Sequence, residues 1–250
     1  MFNASNALLI LLLILQFIFL SYIFKNYTIL DYNNHKKFIK ECTKRSQVTN
    51  LYKPLNNIIL SIIYGSLLGD GHAEKRPNGK ATRITFYQES VHKEYLLYLH
   101  FLVASLGYCN TNTPSIKTRI GKNGKIRYII RFATWTYDNF NVIHQEWYKN
   151  KIKIVPKSIE KHLTPLALAI WVQDDGGKVS KGLKLATNSF TLEDTKFLAN
   201  LLSKKYKLKT SVQSAGAPNQ YIIYIHKESM ETLKNIIYPY VVKSMRYKID

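Results

Sequence analysis

The sequence predicts an α+β fold built from two pseudo-symmetric αββαββα units, each with an antiparallel sheet on one side and helices on the other. Three observations predict it. A short apolar helix that stops at glycine with an aspartate beside it occurs twice, β-hairpin signals follow each copy, and helix-like stretches accompany each set of hairpins. With 250 residues, 46% of them apolar, the chain can bury one sizeable core or two smaller ones.

The first of the repeated helices is read from the N-cap candidates Asn56-Asn57 through the apolar run Ile58 to Leu68, ending at Gly69-Asp70-Gly71. The second has Thr164 as N-cap, Pro165 at its first position and the run Leu166 to Gln173, ending at Asp174-Asp175-Gly176-Gly177. Both carry small residues, Gly65 and Ser66 in one, Ala167 and Ala169 in the other. Both also place a carboxylate at the carboxyl end, where the helix dipole disfavours it by a few tenths to about 1 kcal/mol. The same misplaced charge occurring twice calls for compensating cations.

The run Ser115 to Arg131 contains Lys117, Arg119, Lys122, Lys125, Arg127 and Arg131 and no acidic residue. A two-residue turn at Asn123-Gly124 would pair Ile120 with Arg127 and mix both faces. A three-residue loop, Lys122-Asn123-Gly124 with a left-handed Gly124, instead gathers Lys117, Arg119, Lys125, Arg127 and Arg131 on one face. Ile116, Ile120, Ile126, Tyr128 and Ile130 then share the other. This second register is preferred because it lets one face be buried. In the second unit a Ser180-Lys181-Gly182 loop sets Lys178 opposite Lys184, with Val179, Leu183 and Leu185 behind. A third basic ribbon, Lys75 to Arg83, includes Arg76 and Lys80 and turns at Asn78-Gly79, without clean segregation of faces. Helices are read at Lys93 to Leu106, Asp138 to Lys149, Leu192 to Tyr206 and Lys227 to Ile237, covering the back of each sheet.

The charge indicates a purpose for these faces. Lys and Arg number 36 against 16 Asp and Glu, a net +20, which excludes both a neutral enzyme surface and disorder at this apolar content. Residues 1–24 have no charged side chain, so the excess lies on the body and in both halves of it. Such a body attracts polyanions, nucleic acid or an anionic membrane surface. A two-stranded ribbon has the width that a duplex groove admits. Cys42 and Cys109 supply neither a zinc knuckle nor a disulfide framework, and point to a reducing interior. Ala7 to Phe24 is a nearly unbroken apolar run just long enough to cross a bilayer, followed by Lys25, Lys36, Lys37 and Lys40. It reads as a membrane anchor, as translated upstream exon sequence, or as a detached apolar helix.

The segments Ile63-Tyr64-Gly65-Ser66-Leu67-Leu68-Gly69-Asp70-Gly71 and Leu168-Ala169-Ile170-Trp171-Val172-Gln173-Asp174-Asp175-Gly176 resemble the two copies of the LAGLIDADG motif in single-chain homing endonucleases. Leu163-Thr164-Pro165, Asp174 to Lys178, Thr187-Asn188-Ser189-Phe190-Thr191 and Tyr247-Lys248 are similar to mitochondrial intron-encoded members. The likeness spans residues 54–250. It divides the chain into an N-terminal segment and connector (1–53), a first LAGLIDADG unit (54–153) and a second (154–250). It implies a monomer whose motif helices pack together and whose sheets face double-stranded DNA.

The resemblance further implies that Asp70 and Asp175 hold Mg2+, with Mn2+ able to substitute, and that the carbonyls of Gly69 and Asp174 assist, the Asp174 side chain pointing elsewhere. Carboxylate, carbonyl and water ligands suit such an ion. Lys153 and Lys248 match the family's basic residues near the metals, with Lys151 a rival for Lys153. His72 either touches DNA or lies on its strand. Lys75, Arg76, Lys80, Arg83, Lys117, Arg119, Lys125, Arg127, Arg131, Lys178 and Lys184 are the DNA-contact candidates. Tyr64 departs from the family pattern at a place usually small. The implied activity is cleavage of both strands of an intron-insertion site, leaving short 3′ overhangs. The alternative is a maturase that binds its own intron RNA. The implied location is the mitochondrion, in the matrix or tethered to the inner membrane through Ala7 to Phe24, with another organelle as the alternative.

Overall fold

A computed structural model describes residues 53–75, 79–121 and 124–250. The N-terminal apolar run and Arg76 lie outside the described residues. Among the described residues no helix is long and apolar enough to cross a membrane.

Two helices form the centre. Helix α1 (Asn57–Leu68) is capped by the Asn56 side chain, which accepts from the backbone N–H groups of Ile58 and Ile59. Helix α5 (Pro165–Asp175) is capped by Thr164, whose hydroxyl accepts from Ala167 N. Both are buried on nearly every side, as helices apolar all round must be. They approach closely because the contact residues are small. A Cβ on Gly65 would stand 2.6 Å from the Ala167 carbonyl oxygen, and one on Gly69 would stand 2.4 Å from the Cβ of Asp174.

Around this pair the two units repeat one topology. The first contains β1 (His72–Lys75), β2 (Thr82–Glu89), α2 (Lys93–Ser105), β3 (Ile116–Ile120), β4 (Ile126–Ala133) and α3 (Phe140–Trp147). A short hairpin, β5 (Tyr148–Lys149) and β6 (Ile152–Lys153), and helix α4 (Ile159–His162) lead to α5. The second unit continues with β7 (Gly176–Val179), β8 (Gly182–Ala186), α6 (Leu192–Tyr206), β9 (Thr210–Ser214), β10 (Tyr221–Ile225) and α7 (Met230–Ile237). The sheets are antiparallel with orders β1-β2-β4-β3 and β7-β8-β10-β9. Helices α2 and α3 pack on the first sheet and α6 on the second, whereas α7 rests on α5. Helix α2 has no basic residue in its last turn, and Lys53 supplies one from outside, donating to the carbonyls of Leu106 (2.6 Å) and Gly107 (2.9 Å).

The β3–β4 hairpin has the three-residue register, with Ile120 opposite Ile126, Arg119 opposite Arg127 and Gly124 at φ 72°. The burial that motivated this register is absent from most of its length. Ile116, Ile120, Ile126 and Tyr128 are 49–76% exposed. The covering helices reach only the far end of β4, where Ile130 is buried, so the loop chemistry of Gly124, and not burial, sets the pairing. At the Lys75–Arg83 ribbon the ladder stops at Lys75–Thr82, in the register that a turn centred on Asn78-Gly79 would set.

The second-unit hairpin departs from its expected register. Val179 pairs with Gly182 across a two-residue turn with Ser180 at φ 52°, so Lys178 faces Leu183 and Lys184 faces Gly177. Lys178 and Lys184 therefore lie on opposite faces. Gly176 explains the choice. It is buried under the end of α5, where a Cβ would come within 2.3 Å of the Val172 carbonyl oxygen, and this fixes residues 176 and 178 on the helix side.

Candidate active site and nucleic-acid interface

The carboxyl ends of α1 and α5 lie side by side, and the acidic residues meet there. Asp174 Oδ2 is 3.3 Å from the backbone N of Asp70. The side-chain amide of Gln88 joins the pair, donating to Asp70 Oδ2 at 2.7 Å and to Asp174 Oδ1 at 3.0 Å. The Asp174 side chain thus points into the site, a correction of the expectation that it points away. The reason is Gly69, whose missing side chain leaves the space that Asp174 occupies.

Two lysines supply the compensating cations. Lys153, on β6, donates to the carbonyls of Gly71 (2.9 Å) and Gly69 (3.3 Å) at the end of α1. Lys248, buried near the end of the chain, donates to Gln173 (2.5 Å), Asp174 (3.2 Å) and Val172 (3.5 Å) at the end of α5. Each lysine meets carbonyls at its helix end, of which the Val172 carbonyl also accepts from Gly176 N, and offsets the negative end of the dipole. Lys151 is exposed in the β5–β6 turn, left-handed at φ 65° beside Asn150 at φ 51°, whereas Lys153 is the lysine that reaches these carbonyls.

Charges crowded away from water shift one another. Burial holds the Asp174 carboxyl well above the usual carboxylate range, with Asp70 and Asp175 pushing the same way. Burial and the Asp70 charge push Asp175 up to about 7. Asp70 is raised by burial, against the Gln88 hydrogen bond and the two lysines. Burial lowers Lys153 to about 8 despite the three aspartates, and lowers Lys248. These carboxylates sit together at a cost that a divalent cation would relieve, and the donor set fits a hard, oxygen-binding ion. Among the described residues no three His, Cys, Asp or Glu side chains form a closed metal cage, so Asp70 and Asp175 would depend on carbonyl and water ligands. In this geometry the carbonyls of Gly69 and Asp174 are hydrogen-bonded to the lysines.

Sequence reading missed three neighbours of this centre. Gln88 is buried on the helix-facing parity of β2, where Ile84 and Phe86 also point; an amide following these two apolar residues on one parity was the available signal. Tyr95 donates to the Ile170 carbonyl and sits beside Asp174. His92 feels both Asp70 and Lys248.

The basic candidates divide by strand parity. The uncovered face of the first sheet carries Arg83, Arg131, Arg127, Lys125, Arg119 and Lys117, together with His72. The neighbouring strands bring acids to the same face. Glu74 pairs with Arg83 at 2.7 Å and Glu89 with Arg127 at 2.7 Å. Lys75 alternates to the helix side, near His144. Lys80 is exposed in the loop before β2. On the second sheet Lys184 stands on the uncovered face, whereas Lys178 donates to the main-chain oxygen of Asp250 on the opposite side.

A helix pair of this kind, with carboxylates at its centre and two four-stranded sheets at its flanks, defines the class. The chain matches the LAGLIDADG DNA endonuclease family over residues 60–233 and belongs to it. It is 56% identical to the cytochrome b mRNA maturase bI2 of Debaryomyces hansenii over 86% of this chain and 82% of that protein. It is 52% identical to the Saccharomyces cerevisiae protein of the same name over 90% of this chain, but spans just 56% of that longer relative. The intron-encoded endonuclease ai4 of Dictyostelium discoideum is 38% identical over 57% of this chain and 92% of its own length. The homing endonuclease I-WcaI, solved bound to its DNA recognition sequence, superposes with a TM-score of 0.71 at 26% identity, over 80% of this chain and 88% of that one.

Proposed function

We propose that this protein is a monomeric, metal-dependent endonuclease that cuts both strands of an intron-insertion site, leaves short 3′ overhangs and so spreads its host intron within mitochondria. The observation that carries this reading is the meeting of Asp70 with Asp174, with the Asp70 charge acting on Asp175, between Lys153 and Lys248. A divalent ion held there, Mg2+ or Mn2+, supplies stabilisation of charge on the attacking and leaving oxygens of an in-line displacement. Asp70 and Asp175 would hold it, with help from the Gly69 and Asp174 carbonyls. Gln88 fixes the Asp70 carboxylate by its hydrogen bond. Lys153 and Lys248 keep positive charge beside the phosphate, where it favours the developing negative charge. The uncovered sheet faces, with Arg83, Arg119, Arg127, Arg131, Lys117, Lys125 and Lys184, would lie along the duplex. Phosphate contacts there position the DNA, and base-edge contacts select the sequence.

The test is a plasmid carrying the intronless junction of the host gene, incubated with the full chain and Mg2+. Linearisation that disappears with Asp70→Asn or Asp175→Asn supports the reading. Absence of linearisation, or linearisation that survives both substitutions, refutes it.

A second reading is favoured by the two fungal relatives, both named maturases, at 56% and 52% identity. In it the protein also binds its own intron RNA and assists splicing. A variant with Asp70→Asn that no longer cuts but still restores splicing in a strain lacking the protein would support both roles on one chain.

A further inference from the structure

Tyr64 stands in the first motif where a small residue is usual, yet it does not disturb the α1–α5 contact. It lies one position from Gly65, about 100° around the helix, and packs on the side away from α5. Its ring meets Trp147 of α3 edge-on at 5.5 Å and His162 of α4 at 4.3 Å, and the residue is 3% exposed. Its hydroxyl donates to Glu146 Oε2 at 2.7 Å. Ser158 Oγ donates to the same oxygen, also at 2.7 Å, and the two hydroxyl oxygens are 3.2 Å apart. One carboxylate oxygen thereby joins α1, α3 and the segment that crosses between the units.

That segment bears Lys153. At its start Tyr148 pairs with Lys153, and Ile154 N donates to the Trp147 carbonyl at 2.8 Å. At its finish the hold is Ser158 on Glu146. The other half uses the same device with different residues. Gln173 of α5 accepts from Val242 N at 2.9 Å and donates to the Tyr240 carbonyl at 3.1 Å, which pins the segment leading to Lys248. Each motif helix therefore contributes one polar side chain that fastens the stretch bearing the lysine of its own half.

We propose that Tyr64 is a positioning residue for Lys153: through Glu146 and Ser158 it pins the crossing segment so that the Lys153 ammonium meets the carboxyl end of α1. The ring alone does not account for the hydroxyl, which a phenylalanine would lack while filling the same space. The proposal rests on the endonuclease reading for its consequence in cleavage, and on the hydrogen-bonded triangle for its structural content.

The test is a double-mutant cycle in the full chain. Tyr64→Phe is expected to slow single-turnover cleavage about tenfold in the native background, to leave DNA affinity unchanged, and to have less than about a twofold effect when Lys153→Met is already present, because coupled residues are non-additive. Glu146→Ala, which leaves the aromatic packing in place, is expected to behave the same way, and Glu146→Gln to recover most of the rate. Equal losses in both backgrounds, or no loss in the native one, overturn the proposal. Hydrogen exchange at the amides of residues 152–155 and 157–158 gives a readout without cleavage: faster exchange in Tyr64→Phe supports the pinning and unchanged exchange overturns it. Should the native chain not cut at all, the endonuclease reading falls, and exchange alone then decides the proposal.

Discussion

Gln88 holds the carboxylate of Asp70 through a 2.7 Å hydrogen bond from β2, across the gap between sheet and helix. The same amide nitrogen reaches Asp174 at 3.0 Å, so one donor from the first unit ties together acids from both. A neutral donor lowers the repulsion between the carboxyls without contributing a charge of its own. The acids at the ends of the two motif helices are thus organised by the fold itself.

Replacing Gln88 by Leu removes that donor while keeping the bulk. DNA affinity should stay within a factor of about 2, and single-turnover cleavage should fall about tenfold or more, the size expected when a group fixing a reacting centre is lost. Binding by fluorescence anisotropy and cleavage of a labelled duplex separate the two effects.

Stability should depend on pH with a sign set by Asp175. Its folded value, about 7, lies above its unfolded value of 3.8, so between these limits the folded state holds the proton more tightly. Without divalent ions the melting temperature should therefore fall as pH rises from about 4 to about 7. Lys153, lowered to about 8 from 10.5, acts in the opposite direction and only above pH 8. Mg2+ competes with the proton, so its stabilising effect should be larger at pH 7.5 than at pH 5. Scanning calorimetry at several pH values, with and without Mg2+, checks both signs.

Gly65→Ala places a methyl group 2.6 Å from a backbone oxygen that cannot move without shifting α5. Overpacking of this kind costs about 1–3 kcal/mol. Urea denaturation should show a loss in that range, whereas Ala169→Gly, which removes a methyl from the same helix pair, should be felt as a small cavity instead.

The salt dependence of DNA binding should distinguish the two lysines of the second hairpin. Each phosphate contact removed lowers the slope of log affinity against log salt by about 0.9. Lys184→Ser should lower the slope, as should Arg119→Ser and Arg131→Ser. Lys178→Ser should leave it unchanged, because that side chain is on the helix side and bonded to Asp250.

Lys248→Met leaves the carbonyls of Gln173 and Asp174 without their donor in a buried place. An unsatisfied buried group costs about 1–3 kcal/mol. Cleavage and thermal stability should fall together in this variant, in contrast to Gln88→Leu, where cleavage falls further than stability.

The sequence by itself determined the order of the eight main strands and the principal helices, and the two motif helices with their caps at Asn56 and Thr164. It also determined the β3–β4 register, in which Gly124 takes the expected left-handed place. These features depend on residues a few positions apart, where cap, turn and period chemistry act. Tertiary structure decided the rest: that Lys178 turns away from Lys184, that Asp174 enters the site, that Gln88 reaches two acids, and that Tyr64 packs on α3 and α4. Each of these rests on a close approach between distant segments, of Gly176 to Val172, of Gly69 to Asp174 or of Tyr64 to Glu146, and no local pattern encodes which atoms will meet there.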